Sequence, residues 1–220
     1  VIERTQSAVD EERFTRRLEA FSDLVFGFSL SLLATRLEVP TTPADILDRP
    51  KVIAIAVTFA VICLMWLQHY RIFRHHFVAR PFEVATNFVF LFALAGLPYA
   101  LQTFLRFPAE PAAVALYLGD FSLIFVALAT LRLRGLLQRP VELDNTARLR
   151  DWRRVIIQYV VAAIMVGMIS ATIGQVIDPR RPFELLGGVI IVVAMLVRTL
   201  VRRVPGFLKA DAPAASEAQL

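Results

Sequence analysis

The chain has 220 residues, of which 57% are hydrophobic, and a formal net charge of +5. That apolar share exceeds the 45–50% usual for a soluble domain. The basic excess does not signal nucleic acid, because the arginines flank long charge-free runs instead of forming a basic face interleaved with stacking aromatics.

Six apolar stretches follow one another along the chain, and each predicts a membrane-spanning helix. The first runs from about Leu18 to Val39, with Arg36 and Glu38 at its far end. The second covers about 52–70 and ends in Gln68-His69-Tyr70. The third, about 84–105, carries Pro98 in its interior, where a kink is expected. The fourth, about 112–131, is broken only by Asp120. The fifth, about 155–177, is charge-free, and the sixth, about 183–201, has Arg198 near its end, close enough to snorkel. At about 1.5 Å per residue each can cross a hydrocarbon core of about 30 Å. Period-two alternation is absent, which excludes barrel strands. Proline punctuates the ends at Pro40, Pro50, Pro81, Pro108, Pro111, Pro140, Pro179, Pro182 and Pro205.

The expected architecture is therefore all-α: one six-helix membrane domain over residues 1–204, then a disordered tail over 205–220 rich in alanine and small polar residues. Neither a cleavable leader nor an appended soluble domain is expected. Connections on one side of the membrane hold 18 arginines and lysines and those on the other hold 6. The positive-inside rule then places both termini in the cytoplasm.

The first span is the least lipid-like. Ser22, Asp23, Ser29, Ser31 and Thr35 interrupt it, and ionisable groups inside a span usually face a bundle interior or a water path. Arg17, Phe21, Leu24, Phe28, Ser31, Thr35 and Glu38 step by four and three residues, which makes one continuous stripe along a helix face. It is charged at both ends, aromatic or aliphatic in its inner half and hydroxylic in its outer half. Spacing alone leaves two readings equally open: a stripe that lines a pore, and a helix seam in which the hydroxyls bond to backbone carbonyls.

The motif R-x-x-x-F-S-D at Arg17, Phe21, Ser22 and Asp23, followed by an apolar helix ending in LEVP at Leu37 to Pro40, resembles the signature first helix of the transmembrane protein 175 family. Trp66 and His69 in WLQHYRIF resemble the family's second-helix W-x-x-H pattern, and Asn87 through Tyr99 resembles its third helix. The six-span layout extends the resemblance over nearly the whole chain. It implies a potassium-permeable channel of lysosomes and bacteria, and this chain is similar to the bacterial members, which carry one six-helix repeat per chain and assemble as tetramers with the first helix lining the pore. The family lacks the carbonyl-lined TVGYG filter of other potassium channels, and so does this sequence. Carried over position by position, the inner constriction falls on Phe28, the hydroxyl ring on Ser31 and the outer hydrophobic ring on Thr35. Phe28 and Thr35 depart from the family's aliphatic choice.

These observations lead to an expected non-enzymatic, multi-pass protein of the bacterial plasma membrane. Its expected partners are three further copies of itself, membrane lipid and monovalent cations, without nucleic acid, cofactor or any metal beyond permeant potassium. Leu24, Phe28, Ser31 and Thr35 would line the path and Glu38 would ring its outer mouth. Arg17, Phe21, Ser22, Asp23, Trp66, His69 and Asn87 would form a structural network in which Arg17 pairs with Asp23. The rival roles are a proton-conducting channel or transporter with a relay through Asp23 and His69, a non-conducting membrane scaffold, and an embedded enzyme. His75 and His76 lack the spacing of a metal site. The arginine-rich stretch after the fourth span is expected to be a loop facing lipid.

Overall fold

The computed structural model describes residues 2–35, 49–138 and 145–174. These residues form five helices: α1 (Ile2–Thr35), α2 (Arg49–His75), α3 (Pro81–Arg106), α4 (Pro111–Gln138) and α5 (Asn145–Ile173). All five are long and apolar enough to cross a membrane. The sixth expected span, the tail, the LEVP segment and Glu38 lie outside the described residues.

Each helix is longer than its apolar run. Hydropathy registers only the part that must sit in hydrocarbon, whereas a helix continues into the polar boundary on either side. α1 starts near the beginning of the chain instead of at Leu18, α2 gains a few residues at both ends, and α3 gains three at its start and one at its end. α4 runs to Gln138, so Arg132 and Arg134 lie within it. α5 takes up Arg148, Arg150, Arg153 and Arg154. The arginine-rich stretch expected to be a loop is therefore largely helical, and Arg132, only 1% exposed, faces protein instead of lipid. The kink expected at Pro98 does not interrupt α3, which continues through that buried residue as one helix.

The turns from α2 to α3 and from α3 to α4 are short. α2 closes where the amides of His76 and Phe77 both donate to the Ile72 carbonyl at 2.8 Å. Pro81 then opens α3, where the missing N–H costs nothing because a first-turn amide has no partner within the helix. Pro111 opens α4 in the same way, and the Glu110 carbonyl accepts the amides of Ala113 and Val114. α4 is the central element. It packs on α3 and α5 and touches α2, while α1 lies against α3 and α2. Leu118, Phe121, Ile124, Phe125 and Leu128 of α4 are essentially inaccessible. Tyr117 stacks on Phe104 of α3 at 5.1 Å between ring centroids.

α4 approaches the end of α2 most closely at Gly135. A β-carbon there would lie 2.5 Å from the His76 carbonyl oxygen, 2.8 Å from its Cα, and closer still to its Cβ. These are mostly backbone atoms at a helix end, which cannot swing aside. Gly135→Ala should therefore destabilise the bundle by about 1–3 kcal/mol, the usual effect of overpacking. Thermal unfolding in detergent would read this as a lowered midpoint, and an unchanged midpoint would mean that α2 and α4 are not in this register.

Candidate functional site

α1 has two unlike faces. Leu18, Ser22, Phe26, Ser29 and Leu33 recur at helical spacing and are at most 5% exposed. They form the face that meets α2 and α3. Arg17, Phe21, Leu24, Phe28, Ser31 and Thr35 all stand on the exposed side of the single chain. Leu24 is 72% exposed and Phe28 61%, and a β-carbon built at Gly27 would meet nothing within 4 Å beyond its own helix backbone. The stripe expected from spacing is therefore one open face. The serines on the buried side bond within their own helix, Ser22 Oγ to the Leu18 carbonyl and Ser29 Oγ to the Val25 carbonyl, both at 2.8 Å. The exposed hydroxyls do likewise: Ser31 Oγ donates to the Gly27 carbonyl at 2.9 Å and Thr35 Oγ1 to the Leu32 carbonyl at 3.1 Å. Each uses its one proton inward and leaves oxygen lone pairs facing out.

Three buried polar side chains set the rotation of α1. Asn87 Nδ2 on α3 donates to Ser22 Oγ on α1 at 3.2 Å, and His69 Nε2 on α2 donates to Asn87 Oδ1 at 2.8 Å. All three residues are at most 1% exposed. The His69 ring is enclosed by aromatics. It stacks on Phe90 at 5.2 Å, lies 4.5 Å from Phe73 and meets Phe26 edge-on at 5.5 Å. A second tie lies beside the first, where Trp66 Nε1 donates to Asp23 Oδ1 at 2.8 Å. Phe21 also meets Phe88 of α3 edge-on, with centroids 6.1 Å apart.

Arg17 is not part of this arrangement. It is exposed and makes no ion pair with Asp23. The two stand six residues apart on one helix, about 240° around its axis and about 9 Å along it, so they point to different sides. Nor are Asp23 and His69 directly bonded. Asp23 is held by Trp66 and His69 by Asn87, so the expected relay pair has no direct link.

A second polar cluster escaped the sequence reading. It lies at the end of the bundle where α2 and α4 finish and α3 and α5 begin. Arg132 Nη1 donates to Gln158 Oε1 at 2.9 Å, and Gln158 Nε2 donates to Gln68 Oε1 at 2.8 Å. Asp151 accepts from Arg154 at 2.6 Å and bonds His76 Nε2 at 3.2 Å. The Glu83 carboxylate accepts from Arg134 Nε at 2.9 Å and Gln138 Nε2 at 2.6 Å. The available signal was a glutamine inside each of two apolar runs, at Gln68 and Gln158, since a neutral amide in a span also needs a partner.

Residues 17–98, which take in the Ser22–Asn87–His69 network, match the family model described as endosomal/lysosomal potassium channel TMEM175. A protein of Marivirga tractuosa named potassium channel is 32% identical over 109 residues, 49% of this chain and 42% of that protein. A Chamaesiphon minutus protein, also named a potassium channel, is 37% identical over 107 residues, 44% of this chain and 49% of that one. The chain thus spans about half the length of the curated relatives it matches. The crystal structure of a lysosomal potassium-selective channel TMEM175 homologue from Chamaesiphon minutus superposes with a TM-score of 0.61 at 19% identity, covering 86% of this chain and 98% of that one. The fold is that of the solved homologue, and the motif-bearing first three helices are similar to the TMEM175 family over residues 17–98.

Proposed function

We propose that this chain is one subunit of a homotetrameric cation channel that conducts potassium ahead of other monovalent cations, with α1 of each subunit lining a central path. The observation that carries this reading is the two-faced character of α1. Its buried side is pinned by Ser22 and Phe26, which leaves a continuous row of Leu24, Phe28, Ser31 and Thr35 exposed on the isolated chain. A lipid-facing row has no use for two hydroxyls and a carboxylate at its end, whereas a row shared by four copies around an axis does. The relatives, each named a potassium channel, support the choice of ion.

In this reading the channel sits in the bacterial plasma membrane with six spans per subunit and both termini cytoplasmic. Four Phe28 rings form the apolar constriction. A hydrated cation entering that ring would shed water without gaining oxygen ligands, so the barrier is desolvation. Ser31 and Thr35 offer outward lone pairs that replace part of the hydration shell, and Glu38 gathers cations at the outer mouth. The Ser22–Asn87–His69 and Asp23–Trp66 bonds hold α1 at the rotation that presents this row.

Bilayer recording of matched amounts of protein tests the assignment. Phe28→Ala should raise the current severalfold and weaken discrimination between potassium and sodium, because it removes a plug. Ser31→Ala should leave the current similar and shift the selectivity, because it removes a ligand. If Phe28→Ala matched the parent in both respects, Phe28 would belong to a helix seam and the path would lie elsewhere.

Two measurements examine assembly and the anchor separately. Native mass spectrometry in mild detergent should give a tetramer, and a stable monomer would remove the central path. Asn87→Ala strands a buried donor and a buried acceptor, each costing about 1–3 kcal/mol. It should lower the thermal midpoint and the tetramer yield while channels that do form keep the parent's selectivity. A normal midpoint with altered selectivity would instead assign Asn87 to the ion path.

A further inference from the structure

Asp120 belongs neither to the α1 face nor to the polar cluster at the other end of α4. It lies nine residues into α4, about 14 Å from the start of that helix, too deep for its short side chain to reach the membrane boundary. Thr58 on α2 and Gly96 on α3 stand at a matching depth. The carboxyl lies against α3, where a β-carbon built at Gly96 would sit 3.6 Å from Asp120 Oδ1. Its other oxygen, Oδ2, is enclosed and has no hydrogen-bond partner.

Among the described residues, the groups packed around this carboxyl offer nothing to neutralise a charge. α3 presents Gly96, α5 presents Ile169 against Gly119, and α2 presents Thr58, whose hydroxyl lies 3.4 Å from that of Tyr117. Tyr117, one turn before Asp120 on α4, is the titratable neighbour, and it is neutral at ordinary pH. No cationic side chain makes an ion pair with Asp120 among the described residues. Glu83, a buried acid on α3, contrasts with it: Arg134 and Gln138 both donate to its carboxylate. An unpaired carboxylate in such a place costs far more than the neutral acid does, so a proton is the ligand that fits.

We propose that Asp120 is an intramembrane proton-binding site, holding its carboxyl neutral against Gly96 in the α3–α4 seam. Release of the proton places a charge in that seam, and the same α3 carries Asn87, the anchor of α1. Stability therefore falls once that charge appears. This property belongs to the single chain and does not depend on conduction.

The test uses the full chain in lipid. Infrared spectra near pH 7 should contain the carbonyl-stretch band of a protonated carboxylic acid, and Asp120→Asn should lose it. The thermal midpoint of the parent should fall from about pH 6 to about pH 9, while that of Asp120→Asn should change less over the same range. A third measurement needs no variant: dicyclohexylcarbodiimide, an apolar reagent for protonated carboxyls, should modify Asp120 near neutral pH, with the adduct mapped by mass spectrometry and lost at alkaline pH. An identical acid band in parent and variant, parallel midpoint curves, or no Asp120 adduct at neutral pH would each overturn the assignment.

Discussion

The Asn87 side chain couples three helices through one amide. It donates to Ser22 on α1 and accepts from His69 on α2, and all three residues are shut away from solvent. In a bilayer this matters more than the number of bonds suggests, because apolar side chains gain nothing by leaving lipid tails for one another. Shape and polar pairing must therefore set how helices are turned. Among the described residues, α1 presents a wide exposed face and contacts only α2 and α3 to any extent. The Trp66–Asp23 bond and the packing of Phe26 against His69 and Phe90 reinforce the same angle. Which residues of α1 face outward follows from these contacts.

The second polar cluster does for α4 and α5 what Asn87 does for α1. Arg132, Gln158 and Gln68 form a chain across three helices, and Asp151 ties the end of α2 to α5 through His76. A buried guanidinium is tolerable there because its neighbourhood supplies acceptors. The close approach of Gly135 to His76 belongs to the same junction, since a larger residue would push the end of α2 away from α4. The bundle is thus pinned by two polar clusters that meet at adjacent residues of α2, Gln68 and His69, while the largely apolar and aromatic remainder of the interior holds Asp120.

Much of this was legible in the chain. Apolar runs of spanning length identified α1 to α5, because a helix in hydrocarbon must satisfy its own backbone and exclude charge. Proline marked the starts of α3 and α4 for a local reason, the absent N–H. The alternation of four and three residues from Arg17 to Thr35 identified a common face, since helical geometry alone puts those positions on one side. The motif residues Ser22, Asp23, Trp66, His69 and Asn87 were recognisable as a group. Their resemblance to a family was carried by type and spacing, and the pairing of Ser22, Asn87 and His69 by nothing in the linear order.

What the sequence by itself determined is the list of spans and the membership of each helix face, because both depend on distances of a few residues along one helix. Only the tertiary structure decided the partners. Sequence proximity suggested Arg17 for Asp23, yet a helix turns residues six apart to different sides, and the indole of Trp66, far off in the chain, takes the carboxylate instead. Arg132 looked like a loop cation until α5 brought Gln158 to it. Whether the face through Phe28 was buried or open was likewise undetermined by its spacing. It is open because the hydrogen bonds of Ser22 turn the opposite face inward, and those bonds exist only once α3 has packed beside α1.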